Sequence, residues 1–257
     1  MFLNIKGKTI AVDVTGEGEA IILVHGLGGT SNFWAPVNIE FGKQFKLIAP
    51  DLPGSGRSDN AEGISIPEMA EYMFAVLDEL GVDKVHIIGH SMGTIVCQYM
   101  AATQPARVKD LILLGPLAQA PEPARPALKD RAALVRDKGM TPVADAISVG
   151  GLSEETKTTR GVVVGYVRES LMRQNAEGYA QSCIALSESI QADPSKITCK
   201  TLLITGDEDK TAPPANVEKL HADLSGSQYE LLSGCGHWTI SEKPNEVLAL
   251  IKKFYAV

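Results

Sequence analysis

The chain has 257 residues, 44% of them hydrophobic and 21% charged, with a formal net charge of −7. That length and composition fit one α/β domain carrying an insertion and exclude a disordered or collagen-like chain. The negative charge, with no local cluster of lysine and arginine, argues against nucleic acid as a partner.

Residues 1–14 mix Lys6 and Lys8 with short apolar pieces, so they lack the apolar core of a signal peptide. No apolar run approaches the ~18 residues of a membrane span, and a cytoplasmic protein with no membrane span is expected. Short aliphatic and β-branched runs at 9–14, 21–24, 45–49, 85–88, 111–114, 202–205 and 229–232 predict strands. Several are continuously apolar, as strands covered on both faces are, and helix-like stretches separate most of them. This is the pattern of a doubly wound, mainly parallel sheet.

Between the third and fourth runs, Ser65 and Glu68 form a capping-box pair, Pro67 sits in the first turn and Gly81 marks the end of a helix. Its face of Met69, Tyr72, Met73, Val76, Leu77 and Leu80 reads as core packing. From 117 to 196 the strand rhythm stops and alanine, proline, arginine and glutamate take over, opening with Pro116, Pro121, Pro123 and Pro126. A helical lid over the carboxyl ends of the strands is expected there, dividing a core of 1–116 and 197–257. The four cysteines, Cys97, Cys183, Cys199 and Cys235, show no zinc-ligand spacing and read as packed free thiols.

The run 85–88 leads into Gly89-His90-Ser91-Met92-Gly93 and then a helix-compatible stretch. A Gly-x-Ser-x-Gly turn between strand and helix is tight enough to demand small residues on either side of the serine, and it presents the hydroxyl as a nucleophile. A serine needs a base held in one tautomer by a third group. Of five histidines, His86 lies within a strand, His90 within the elbow, His25 in another glycine-rich motif and His221 in a helical stretch. His237 remains, in the loop Gly234-Cys235-Gly236-His237-Trp238 after the last strand. The acid is expected after 202–205, where Asp207, Glu208 and Asp209 compete.

The order Ser91, acid, His237, in these local contexts, resembles the α/β-hydrolase superfamily almost end to end. The resemblance implies a mostly parallel sheet flanked by helices with a helical lid, and it implies Asp209 as the acid, because the family's Gly-x-x-Asp with proline four residues on matches Gly206 to Pro213. It implies an oxyanion hole made by the Met92 amide, at the start of the helix, and the Leu27 amide in His25-Gly26-Leu27-Gly28-Gly29, with His25 structural. The turn Asp51-Leu52-Pro53-Gly54-Ser55-Gly56-Arg57-Ser58 is similar to a family turn and reads as structural, with Asp51 and Arg57 pairing locally. Trp34 and Trp238 adjoin these loops and are candidates for the pocket wall or for the core.

Serine at the elbow disfavours the dehalogenase and epoxide hydrolase branches, which place aspartate there. Segment 131–146 and the stretch 179–185 are similar to the lid of β-ketoadipate enol-lactonases, but Ile147-Ser148-Val149-Gly150-Gly151 stands where those enzymes are aromatic-rich. The expected function is hydrolysis of a small-molecule carboxylic ester or lactone through an acyl-enzyme, without metal or organic cofactor. The enol-lactonase is its special case; the rivals are a carbon–carbon bond hydrolase, a cofactor-free haloperoxidase and a small-molecule receptor with weak turnover.

Overall fold

The computed structural model describes all 257 residues. Its centre is an eight-stranded sheet in the order β1-β2-β4-β3-β5-β6-β7-β8. The strands are β1 (Phe2–Ile5), β2 (Lys8–Thr15), β3 (Glu19–Val24), β4 (Phe45–Pro50), β5 (Val85–His90), β6 (Val108–Leu114), β7 (Lys200–Gly206) and β8 (Gln228–Leu232). The pairs β1–β2 and β2–β4 are antiparallel and the other five are parallel.

Continuous apolar strands need cover on both faces, and they have it. Along β3, Ile21 and Leu23 face one apolar cluster while Ile22 and Val24 face the other, all four without exposed surface. One face is covered by α2 (Ile66–Glu79) and α3 (Met92–Thr103), the other by α1 (Ala35–Phe41) and α11 (Pro244–Tyr255). Burying each such aliphatic side chain contributes about 1.5–3 kcal/mol before the entropy of ordering it. The methionine stripe of α2 is core: Met69 and Met73 are fully buried. Its capping box is formed, Ser65 Oγ accepting from the Glu68 amide at 3.4 Å and Glu68 Oε2 from the Ser65 amide at 2.9 Å.

Two strands depart from the sequence reading. The edge strand β1 was not expected, because Phe-Leu-Asn-Ile is short and its hairpin uses Lys6-Gly7, both at positive φ (51° and 77°), instead of the usual Asn-Gly. Strand β6 starts three residues before the predicted run, since Lys109 and Asp110 interrupt its apolar pattern; Asp110 is held in register by His86 Nδ1 at 2.6 Å on β5.

Between β6 and β7 the chain forms α4 (Ala124–Lys138), α5 (Thr141–Gly150), α6 (Glu154–Thr159), α7 (Gly161–Met172) and α8 (Ala176–Ser187). Their buried residues join the same two clusters as the sheet: Leu128 and Leu186 one, Val135, Leu171 and Tyr179 the other. The segment has no separate core. After β7 come α9 (Pro214–Asp223) and, after β8, the short α10 (Thr239–Glu242). All four cysteines are free thiols, and no helix is long and apolar enough to cross a membrane.

Candidate active site

Ser91 stands between β5 and α3 with φ 52° and ψ −124°, a conformation that costs about 1–3 kcal/mol in a non-glycine residue. The elbow is held by the Ser91 amide donating to Leu114 O at 3.0 Å and by Thr94 Oγ1 donating to Ser91 O at 2.6 Å. The flanking glycines are required by contact. A Cβ on Gly93 would lie 2.4 Å from the Val24 carbonyl oxygen and 2.5 Å from that of His25, and one on Gly89 would meet Cys97 Sγ at 2.5 Å.

His237 Nε2 lies 2.7 Å from Ser91 Oγ, and His237 Nδ1 lies 2.8 Å from Asp209 Oδ2. An ionised carboxylate only accepts, so Nδ1 carries the proton and Nε2 of the neutral ring is free to accept from the serine hydroxyl. Asp209 is fixed in turn: its Oδ1 accepts from the Thr211 amide at 2.8 Å and the Ala212 amide at 2.7 Å. Burial raises the Asp209 pKa, but His237 and the two amides outweigh it and leave the carboxyl below its ordinary range. The His237 loop is positioned by its own amide, which donates to Gly151 O at 2.9 Å.

The competing carboxylates lie elsewhere. Asp207 accepts from the Cys235 amide and from Ser233 Oγ, each at 3.2 Å, and Glu208 Oε2 accepts from the Glu154 amide at 2.9 Å. His25 accepts from the Leu52 amide through Nε2 at 2.9 Å, tying the loop after β3 to the end of β4. Asp51 accepts from Arg57 Nε at 2.9 Å and from the Ser31 amide at 2.7 Å, bracing the turn at 51–58.

The Leu27 amide donates to no protein group, and Met92 opens α3, where an amide has no intrahelical acceptor. Neither amide is therefore committed to a protein acceptor. The loop of Leu27 is supported from α7 and the turn after it: Ser170 Oγ donates to Gly28 O at 2.9 Å, and Gln174 Nε2 to Gly28 O at 3.2 Å and Gly29 O at 3.3 Å. Sequence reasoning missed this support, since no local pattern links residues so far apart. It also missed His90, whose Nε2 donates to the His237 carbonyl at 2.9 Å beneath the ring. Burial, with His237 nearby, pushes the His90 pKa down to about 3, so it stays neutral.

A cavity of about 530 Å³ opens over Ser91 and His237, its apolar wall including Leu27, Leu117, Leu128, Ile147, Leu186 and Trp238. Trp238 thus occupies the wall. Trp34, on the 3₁₀ turn Ser31–Trp34, does not: it is fully buried in the core against the Phe33 ring, with centroids 4.9 Å apart. The departure at 147–151 falls on the wall, where Ile147, Gly150 and Gly151 line the cavity.

A family profile described as the alpha/beta hydrolase fold matches residues 19–244. The chain belongs to the α/β-hydrolase fold family. It is 24% identical to 3-oxoadipate enol-lactonase 1 of Acinetobacter baylyi over 99% of this chain and 96% of that protein. It is 26% identical to a 2-hydroxy-6-oxo-6-phenylhexa-2,4-dienoate hydrolase of Burkholderia cepacia, over 99% of this chain and 94% of the other. Among solved structures, a thermophilic esterase from Thermogutta terrifontis superimposes with a TM-score of 0.93 at 25% identity, covering 100% of this chain and 97% of the esterase.

Proposed function

We propose that the protein is a serine hydrolase of carboxylic esters or lactones, with Ser91 as nucleophile, His237 as general base and Asp209 orienting the histidine. The observation that carries this reading is the continuous hydrogen-bonded chain from Ser91 Oγ through His237 to Asp209, at 2.7 and 2.8 Å, on the floor of a cavity. His237 Nε2 takes the hydroxyl proton as Ser91 Oγ bonds to the substrate carbonyl carbon, and the Leu27 and Met92 amides stabilise the oxyanion. The ester C–O bond breaks, and the leaving oxygen takes the proton from His237. A water then attacks the acyl-enzyme, giving a proton to His237, which returns it to Ser91 Oγ as the carboxylic acid departs. This route needs no metal or organic cofactor.

The helical segment 117–196 serves as the lid in this reading, with 1–116 and 197–257 as the core. The enol-lactone is the special case within it, supported by the Acinetobacter relative over nearly the whole chain. The test is labelling by a fluorophosphonate together with turnover of p-nitrophenyl esters and enol-lactones. Ser91→Ala should abolish both labelling and turnover while circular dichroism stays unchanged, and activity retained in Ser91→Ala refutes the assignment.

A further inference from the structure

The cavity over Ser91 is mostly apolar, and of its lining residues the two that carry a full charge, Arg131 and Lys210, are both cations. No aspartate or glutamate lines it, although the whole chain has a net charge of −7. A partly buried cation facing an apolar cavity is unfavourable unless something compensates it. On α4 the other cations are compensated: Arg125 by Glu122 at 3.0 Å, Lys129 by Glu188 at 3.5 Å, Arg136 by Glu177 at 2.7 Å and Lys138 by Asp137 at 3.0 Å. Arg131 alone has no carboxylate partner, and it lies on the cavity-lining face with Ala124, Ala127 and Leu128 at helical spacing.

Tyr179 of α8 lines the same cavity. It is 2% exposed, and its buried Oη makes no hydrogen bond of full geometry, although Arg131 and Cys183 lie beside it. Burial raises its pKa well above the ordinary range despite the opposing pull of the nearby Arg131, so the hydroxyl remains a neutral donor. A buried hydroxyl left without a partner is normally costly, and natural structures rarely leave one without a reason. A guanidinium fork with no carboxylate partner beside a buried hydroxyl, in a cavity free of acidic groups, matches the acceptor geometry of a carboxylate.

We propose that Arg131 and Tyr179 seat a carboxylate carried by the substrate, so that the preferred ester or lactone is anionic at a point away from the scissile carbonyl. This rests on the hydrolase reading above and narrows it to a substrate class. Lys210, exposed on the rim, adds attraction that salt screens.

The experiment compares p-nitrophenyl glutarate, with its free carboxylate, and the same ester capped as the methyl ester. The wild-type protein is expected to give the higher kcat/KM with the anionic ester. Arg131→Gln should lower the anionic-to-neutral ratio by about 10- to 100-fold. Arg131→Lys should recover part of it, keeping the charge but not the fork; Tyr179→Phe should lower it by about 3- to 10-fold. In a Ser91→Ala background, calorimetry with glutarate reads the same seat without turnover, and the order of affinities should match. A wild-type ratio at or below one, a ratio unmoved by Arg131→Gln, or an effect confined to Lys210→Gln overturns the proposal. If neither ester is turned over and Ser91 resists fluorophosphonate, the hydrolase reading fails, while glutarate binding lost in the Arg131→Gln variant would still uphold the seat.

Discussion

Replacing Asp209 by asparagine changes one atom and should reverse the direction of one hydrogen bond. Both backbone amides that hold Asp209, those of Thr211 and Ala212, donate to the same oxygen at 2.8 and 2.7 Å. In the asparagine variant that position must be taken by the carbonyl oxygen, because an amide NH₂ there would face two donors. The NH₂ then points at His237 Nδ1, now occupied by a donor where Asp209 accepts at 2.8 Å. Only the tautomer with bare Nδ1 satisfies it, and that tautomer places the ring proton on Nε2, aimed at Ser91 Oγ. The histidine can no longer accept the hydroxyl proton.

The same inversion in a serine protease triad lowers turnover by about 10⁴-fold, equivalent to ~5.4 kcal/mol of barrier, and the two-amide clamp here predicts a loss of that order. Asp207→Asn is the matched control. Its carboxylate accepts from Ser233 and the Cys235 amide, each at 3.2 Å, and not from His237, so its loss should stay within about tenfold. The assay is steady-state kcat for a p-nitrophenyl ester, with urea unfolding to show that both variants are folded. Turnover of Asp209→Asn within tenfold of wild type, or a larger loss in Asp207→Asn, refutes the reasoning.

Ser91→Gly should relieve the strain at φ 52° and ψ −124°, raising stability by about 1 kcal/mol as it abolishes turnover, whereas Ser91→Ala should abolish turnover without that gain; equal unfolding midpoints would argue against stored strain. Gly93→Ala forces a Cβ to within 2.4 Å of a fixed backbone oxygen and should cost about 3 kcal/mol or more, read as loss of soluble protein or of unfolding midpoint. Gln174→Leu removes the donor to Gly28 O and Gly29 O and should lower kcat by about 10- to 100-fold with less change in KM, the pattern expected of a displaced Leu27 loop. His90 is held neutral down to about pH 3 when folded but takes a proton below its ordinary value of 6.5 when unfolded. Its contribution is therefore intact above that value and declines as pH falls, by about 2 kcal/mol at pH 5; urea unfolding at pH 8 and pH 5 should show a shallower decline in His90→Gln.

The parallel part of the sheet was legible because Ile21 to Val24 and their counterparts are buried on both faces, and burial on both faces leaves a continuous apolar run in the sequence. Strand β1 was not, since its register depends on a Lys6-Gly7 turn with no strong signal of its own. That Ser91 and His237 face each other could be reached by elimination among five histidines. The choice among three carboxylates could not, and it rested on resemblance. The physical discriminator is the pair of amides at Thr211 and Ala212, which hold Asp209 and not Asp207 towards the ring. The sequence left Trp34 open between wall and core, because nearness to the Leu27 loop says nothing of which way a side chain on the following 3₁₀ turn points; it lies in the core. The partners of Gly28 and Gly29, at Ser170 and Gln174, lie more than 140 residues away and leave no local trace.

Those distant partners bear on how substrate reaches Ser91. The inserted helices are not a cover resting on a finished site. Ser170 and Gln174 hold the loop that offers the Leu27 amide, Gly151 O receives the His237 amide at 2.9 Å, and the Glu154 amide donates to Glu208 at 2.9 Å beside Asp209. Lifting α5 to α7 as one body would break all of these contacts and release the His237 and Leu27 loops together. By contrast α4 is tied mainly to α8, through Arg136 to Glu177 at 2.7 Å and Arg125 Nη1 to Ser187 O at 2.7 Å, and it donates no hydrogen bond to either loop. Opening confined to α4 and the proline-rich segment leading into it would admit substrate past Leu128 and Arg131 while the hydrogen-bonded chain stays intact. A disulfide or crosslink joining α4 to α8 should therefore slow entry of bulky substrates without changing labelling by a small fluorophosphonate that passes the cavity mouth as it stands. One joining α7 to the Leu27 loop should leave both unaffected.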